Sequence, residues 1–158
     1  MVQQKPTLNR RRFLTQAIGW LAGIQVFYLL FQTLRPNKPA RTTDNFYPAG
    51  DASMFKPGQV YAFGAAHFYL VRTDDGGFLA LSSKCTHLGC AVGFNPGQKR
   101  FECPCHASVF SEKGDVLSSP ALRALDYFPI EVVQNQVLVD IHSPIKRQKY
   151  ELAQVKYI

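Results

Sequence analysis

Cysteine is scarce in this chain, four in 158 residues, too few for a small domain held together by a disulfide framework. Acidic side chains are also few, 11 against 18 Lys and Arg, which leaves a net charge of +7. No internal repeat or low-complexity tract is present, so the chain is not a repeat array. Between residues 53 and 143 no long segment has a 3.6-residue apolar period, which argues against a helical bundle. What is present is enough length for one domain of ordinary size, with 46% hydrophobic residues to fill a core. Ten Pro and eleven Gly supply many turns, as a β-rich domain requires.

The basic excess first resembles that of a nucleic-acid binder, and its location removes that reading. Residues 1–52 carry seven basic and two acidic side chains, residues 53–143 seven and eight, and residues 144–158 four and one. The charge therefore sits at the two ends, whereas a nucleic-acid domain carries it on its folded surface. No nucleic-acid partner is expected.

From Phe13 to Leu34 there are 22 residues without a charge. As a helix they span about 33 Å, enough for a bilayer core of about 30 Å. Gln16, Gln25 and Gln32 do not make a polar face, so a buried helix of a globular domain is disfavoured. Trp20 and Tyr28 are expected to face lipid or a partner. Arg35-Pro36 ends the run with a charge and a helix breaker. Just before it, Arg10-Arg11-Arg12-Phe13-Leu14 resembles the twin-arginine export signal, with Asn9 in place of Ser or Thr and Thr15 in place of Lys. The alternative is the basic flank of an ordinary signal anchor. No small-x-small cleavage site follows, so the expected element is an uncleaved anchor over 13–34, after an n-region over 1–12. Residues 35–52 have linker composition, polar with three Pro.

Val60–Phe63, Phe68–Arg72 and Phe78–Leu81 are short β-branched or aromatic runs, the last two joined by the hairpin turn Asp74-Asp75-Gly76-Gly77. Ile130–Val133 and Val137–Ile141 follow later. Residues 53–143 are thus predicted to be a small antiparallel all-β domain, with 144–158 as a basic C-terminal tail.

All four cysteines lie in two boxes, Cys85-Thr86-His87-Leu88-Gly89-Cys90 and Cys103-Pro104-Cys105-His106-Ala107-Ser108. Cys85, His87, Cys103 and His106 can meet one metal from two loops, and zinc would accept that Cys₂His₂ set. Yet a classical finger places two Cys on one arm and two His on the other. Here each arm offers one of each, which suits two irons that each take one ligand from each loop. His67 and His142 lack ligand spacing to the boxes and read as structural or surface residues.

Cys-x-His, 15 residues, then Cys-x-x-His resembles the Rieske [2Fe-2S] family, over residues 58–141 in outline. The resemblance implies an all-β Rieske-type domain with two cluster-binding loops and one [2Fe-2S] cluster. It implies that Cys85 and Cys103 bind an inner iron and that His87 and His106 bind an outer one. It further implies a Cys90–Cys105 disulfide, as in quinol-oxidising members, and Ser108 as a donor to a cluster sulfide. Two imidazoles in place of two thiolates make the centre less negative and raise its potential. Two departures stand out: Phe110 occupies the place of a Tyr that donates to a ligand sulfur in high-potential members, and Ala107 replaces a common Gly. The missing donor implies a lower potential. Ser118-Ser119-Pro120-Ala121-Leu122 resembles the Pro-bearing loop that covers the cluster.

The resemblance implies a membrane-anchored subunit of a cytochrome bc-type quinol oxidoreductase. Such a subunit takes an electron from quinol at a cytochrome b subunit, with a proton at His106 or His87. It then passes the electron to a cytochrome c-type acceptor. The expected location is the bacterial inner membrane, single-pass, N-terminus cytoplasmic and the Rieske domain on the periplasmic side. The alternatives are the small relay subunit of an arsenite-oxidase-like molybdenum enzyme and a stand-alone tethered Rieske carrier.

Overall fold

A computed structural model describes residues 9–34 and 46–158. The chain divides into two units, Met1–Ala40 and Arg41–Ile158. In the first, α1 runs from Arg10 to Leu34 and takes in the three arginines that precede the apolar run. Its first turn has no acidic residue to complement the helix dipole; Thr15 instead returns its hydroxyl to the Arg11 and Arg12 carbonyls. Arg10–Gln32 is long and apolar enough to cross a membrane, and none of it is buried. The expected n-region over residues 1–8 and the linker over 35–45 lie outside the described residues.

The second unit is antiparallel throughout. Its strands are β1 (Phe46–Asp51), β2 (Gln59–Phe63), β3 (Phe68–Arg72), β4 (Phe78–Ser82), β5 (Gly93–Asn95), β6 (Arg100–Glu102), β7 (Val109–Ser111), β8 (Val116–Ser118), β9 (Tyr127–Phe128), β10 (Ile130–Val133) and β11 (Gln136–Asp140). They form three sheets, ordered β1-β11-β10, β2-β3-β4-β9 and β5-β6-β7-β8. The middle sheet decides the architecture. Along β3 and β4 successive side chains alternate between its faces, and both faces are covered. Phe68, Leu70, Phe78 and Ala80 enter one core with Phe55, with Phe128 of β9, and with Val137 and Val139 of the β1-β11-β10 sheet, the base sheet. Val71, Leu79 and Leu81 enter a second core with Phe101, Phe110, Leu125 and the two cysteines that open the boxes. All five residues of β4 are buried, which is why it reads as a continuous apolar run.

One expectation about extent is corrected. The linker was expected to reach residue 52, but β1 pairs with β11 from Phe46↔Asp140 to Asp51↔Gln136. Pro48 is tolerated because β1 is an edge strand, and the register shifts between Pro48 and Gly50. The basic tail over 144–158 packs against the domain. Ile145 bridges Tyr127 and Lys156 bridges Phe78, while Arg147 is only 6% exposed. Burial lowers the pKa of Arg147, and the charge of Asp115 opposes that shift.

Candidate metal centre

The two boxes fold as copies of one loop. In the first, the Cys85 N–H donates to the Cys90 carbonyl at 2.7 Å, and the Gly89 N–H to the Cys85 carbonyl at 2.8 Å. In the second, the Cys103 N–H donates to the Ser108 carbonyl at 2.9 Å, and the Ala107 N–H to the Cys103 carbonyl at 3.1 Å. The fifth residue of each loop is left-handed, Gly89 at φ 81° and Ala107 at φ 58°. That is the physical reason for a glycine at this place, and Ala107 bears the cost of about 1–2 kcal/mol of a Cβ there. Short strands fix the loop bases: Lys84 bridges Ala91, and β6 and β7 flank the second box. Tyr69, packed on Phe101 at 5.0 Å, donates its hydroxyl to the Val92 carbonyl at 2.9 Å.

This duplication brings the expected residues together. Cys85 and Cys103 are buried, unpaired thiols. Burial, followed by the neighbouring Cys103, raises the pKa of the Cys85 thiol, while the His87 N–H and the Ser108 hydroxyl oppose the shift. The His87 and His106 rings stand edge to face with centroids 4.9 Å apart. The His87 Nδ1 is buried and has no hydrogen-bond partner. Cys90 and Cys105 form a disulfide, and their sulfurs and that of Cys103 lie within 4.8 Å of one another. With two of those three sulfurs joined in the bridge, the bridge lies against the thiol and fastens the end of one loop to the middle of the other.

Three side chains frame the site from behind. Ser108, fully buried, accepts a hydrogen bond from the Ala121 N–H at 3.0 Å, which joins the second box to the Pro-bearing loop. Thr86, inside the first box, donates to the Arg123 carbonyl at 2.7 Å and joins the same loop from the other side. Phe110 is fully buried in the second core. Sequence reasoning found Ser108 and Phe110 but missed Thr86, whose only signal was its place between Cys85 and His87.

Two buried thiols, two facing imidazoles and an inward Nδ1 without a partner are the donor set that a [2Fe-2S] centre with mixed ligation takes. Residues 45–129 match the Rieske [2Fe-2S] domain family. The chain belongs to that family. The chain is similar to the cytochrome b6-f complex iron-sulfur subunit of Chlorobaculum tepidum, 26% identical over 139 residues, 84% of this chain and 76% of that protein. It is 35% identical over 94 residues to the cytochrome b6-f complex iron-sulfur subunit of Synechococcus sp. strain WH7803, 59% of this chain. There the chain spans about half, 51%, of the relative's length. The crystal structure of the plasma membrane Rieske protein of Synechocystis PCC 6803 is 32% identical, over 51% of this chain and 82% of that one, with a TM-score of 0.43. In the two boxes of this Rieske domain Cys85 and Cys103 are buried, and His106 is exposed.

Proposed function

We propose that this chain is the membrane-anchored iron–sulfur subunit of a cytochrome bc-type quinol oxidoreductase. The observation that carries the reading is the pair of disulfide-linked loops with buried thiols and an exposed histidine. The homology to cytochrome b6-f iron-sulfur subunits supports it. Cys85 and Cys103 would hold the inner iron; His87, through its Nδ1, and His106 would hold the outer one. When bound, such a centre supplies a one-electron acceptor in the range of about −150 to +300 mV.

The chain's own residues do the rest. His106 is exposed, and a nitrogen of its ring would take the proton that quinol releases with its electron. The disulfide and the two loop closures hold the imidazoles in fixed orientation, so little reorganisation accompanies each transfer. Leu88, in the first box, is 71% exposed, and Leu122, in the Pro-bearing loop, is 92% exposed. These apolar residues exclude water when a partner seats on the tip. α1 anchors the subunit in the bilayer, with its N-terminus cytoplasmic and the domain on the periplasmic side, as the twin-arginine resemblance implies. The partners are a cytochrome b subunit with bound quinol and a cytochrome c-type acceptor.

Purification of the native complex in mild detergent, with identification of its subunits, tests this. A cytochrome b subunit is expected, with a rhombic EPR signal of low average g value in the reduced protein. A molybdopterin subunit in its place would instead establish the arsenite-oxidase-like relay, a reading with which Phe110 is compatible. Isolation of the chain alone with its iron intact would establish a tethered carrier.

A further inference from the structure

The tail carries a buried charge that the proposed electron transfer does not use. Arg147 donates from Nε to the Leu125 carbonyl at 2.7 Å, from Nη2 to the Lys113 carbonyl and from Nη1 to the Gln154 Oε1. Its guanidinium lies 5.9 Å from the centre of the Tyr127 ring. Gly114 is left-handed at φ 83°, and a Cβ there would meet the Nη2 of Arg147 at 2.5 Å. The glycine thus allows the guanidinium to approach the backbone of the turn between β7 and β8.

These partners lead to the metal centre in short steps. The Leu125 N–H donates to the Gly114 carbonyl at 2.9 Å, and the Ala124 N–H to the Gln148 carbonyl at 3.2 Å. Leu125 is packed in the same core as Cys85, Cys103 and Ala121. From this anchored end the loop 119–125 extends to two ties on the boxes, Thr86 to the Arg123 carbonyl and the Ala121 N–H to Ser108. Without Arg147, the buried Leu125 carbonyl and the Lys113 carbonyl lose a charged donor, and the 124–125 end of the loop keeps only its two backbone hydrogen bonds and the packing of Leu125.

We propose that Arg147 is a positioning residue for the metal centre, holding the 119–125 loop so that Thr86 and Ser108 keep the two boxes in register. The proposal rests on the ligand reading given above.

The test compares Arg147→Met with Arg147→Lys, Thr86→Val and the exposed control Lys146→Met, all in the full chain. Arg147→Met is expected to accelerate amide exchange in residues 85–90 and 121–125 by about tenfold, the factor expected when a buried hydrogen bond is lost. It is also expected to lower iron retained on purification by about tenfold and to broaden the EPR lines. Arg147→Lys recovers part of each effect. Thr86→Val reproduces the change at 85–90, and the double variant goes no further there than either single one. Lys146→Met matches wild type. Exchange accelerated only in 111–115 and 144–158, with 85–90 at wild-type rates, overturns the proposal and leaves Arg147 a tail anchor. If Arg147→Met does not accumulate folded, Gln154→Ala removes one partner, and the same two exchange patterns decide. A wild-type protein without the mixed-ligand EPR signal defeats the functional reading, while the exchange pattern still decides the role of Arg147.

Discussion

The core between the base sheet and the middle sheet holds Phe55, Phe68, Phe78 and Phe128, whereas the core on the opposite face holds Phe101, Phe110, Cys85 and Cys103. On the base side the rings pack on one another, Phe68 against Tyr47 at 5.6 Å, Phe63 at 4.6 Å and Phe128 at 6.4 Å. The strands there are four to six residues long in the base sheet. On the centre side β5, β6, β7 and β8 have only three residues each. The missing ladder length is made up by discrete ties: the Cys90–Cys105 bridge and the hydrogen bonds of Thr86, Ser108 and Tyr69. Apolar burial is diffuse and tolerates small shifts, while a few directional ties hold fixed positions. The side that must orient metal ligands uses the second method.

Substitutions that strike one side at a time test this contrast. The largest effect is expected from Cys103→Ser or from stripping the metal with a chelator. Either should abolish the iron chromophore and loosen the centre side while the base sheet keeps its slow amide exchange; uniform loss of protection across both sides would break the contrast. Phe68→Ala should cost about 3–5 kcal/mol of unfolding free energy, yet the folded fraction should keep a wild-type EPR line shape. Joint replacement of Cys90 and Cys105 by Ser should cost about 2–5 kcal/mol, and here the spectrum should change with the stability. Phe110→Tyr should leave stability near wild type and raise the midpoint potential in redox titration, by placing a donor in the core that holds Cys85 and Cys103; no rise would show that the site cannot direct that hydroxyl to a sulfur.

The smallest effect lies outside both cores. Tyr157 donates to Asp75 at 2.6 Å, and that hydrogen bond is the main cause of its pKa being raised to about 12 from 10.0. The folded value exceeds the unfolded one, so this contact stabilises fully below pH 10 and is lost as pH rises through 12. Absorbance titration should show one late tyrosine that reverts in Asp75→Asn, with the metal centre unaffected.

How far the sequence foretold this division follows from how each side is built. β3 and β10 match their predicted bounds, and β4 exceeds its predicted run only by Ser82, because β-branched and aromatic runs of four or five residues announce themselves. The three-residue strands around the boxes are too short for any period to show. The boxes were legible through the spacing of their cysteines and histidines, and the disulfide through family resemblance. β1 was hidden by Pro48 and Gly50, residues that read as linker but are accommodated at a sheet edge with a shifted register. The tail was hidden by charge: Lys146, Arg147 and Lys149 look alike in sequence, and only Arg147 is buried. No local pattern separates a buried arginine bound to carbonyls from its solvated neighbours. Likewise Thr86 resembles any threonine until the loop beyond β8 is seen to return to it.

β4 serves both cores with a single five-residue strand, Phe78 and Ala80 on one face and Leu79 and Leu81 on the other. Transplanting the centre side of this domain onto another scaffold would therefore not be a matter of exchanging loops. The donor's Leu79 and Leu81 would have to travel with the boxes, and they cannot move without bringing Phe78 and Ala80 into a foreign aromatic core. Diversification of the tip is thus confined to residues that leave this shared strand untouched, and homologues that differ widely in their loops should still agree in the side-chain volumes along it.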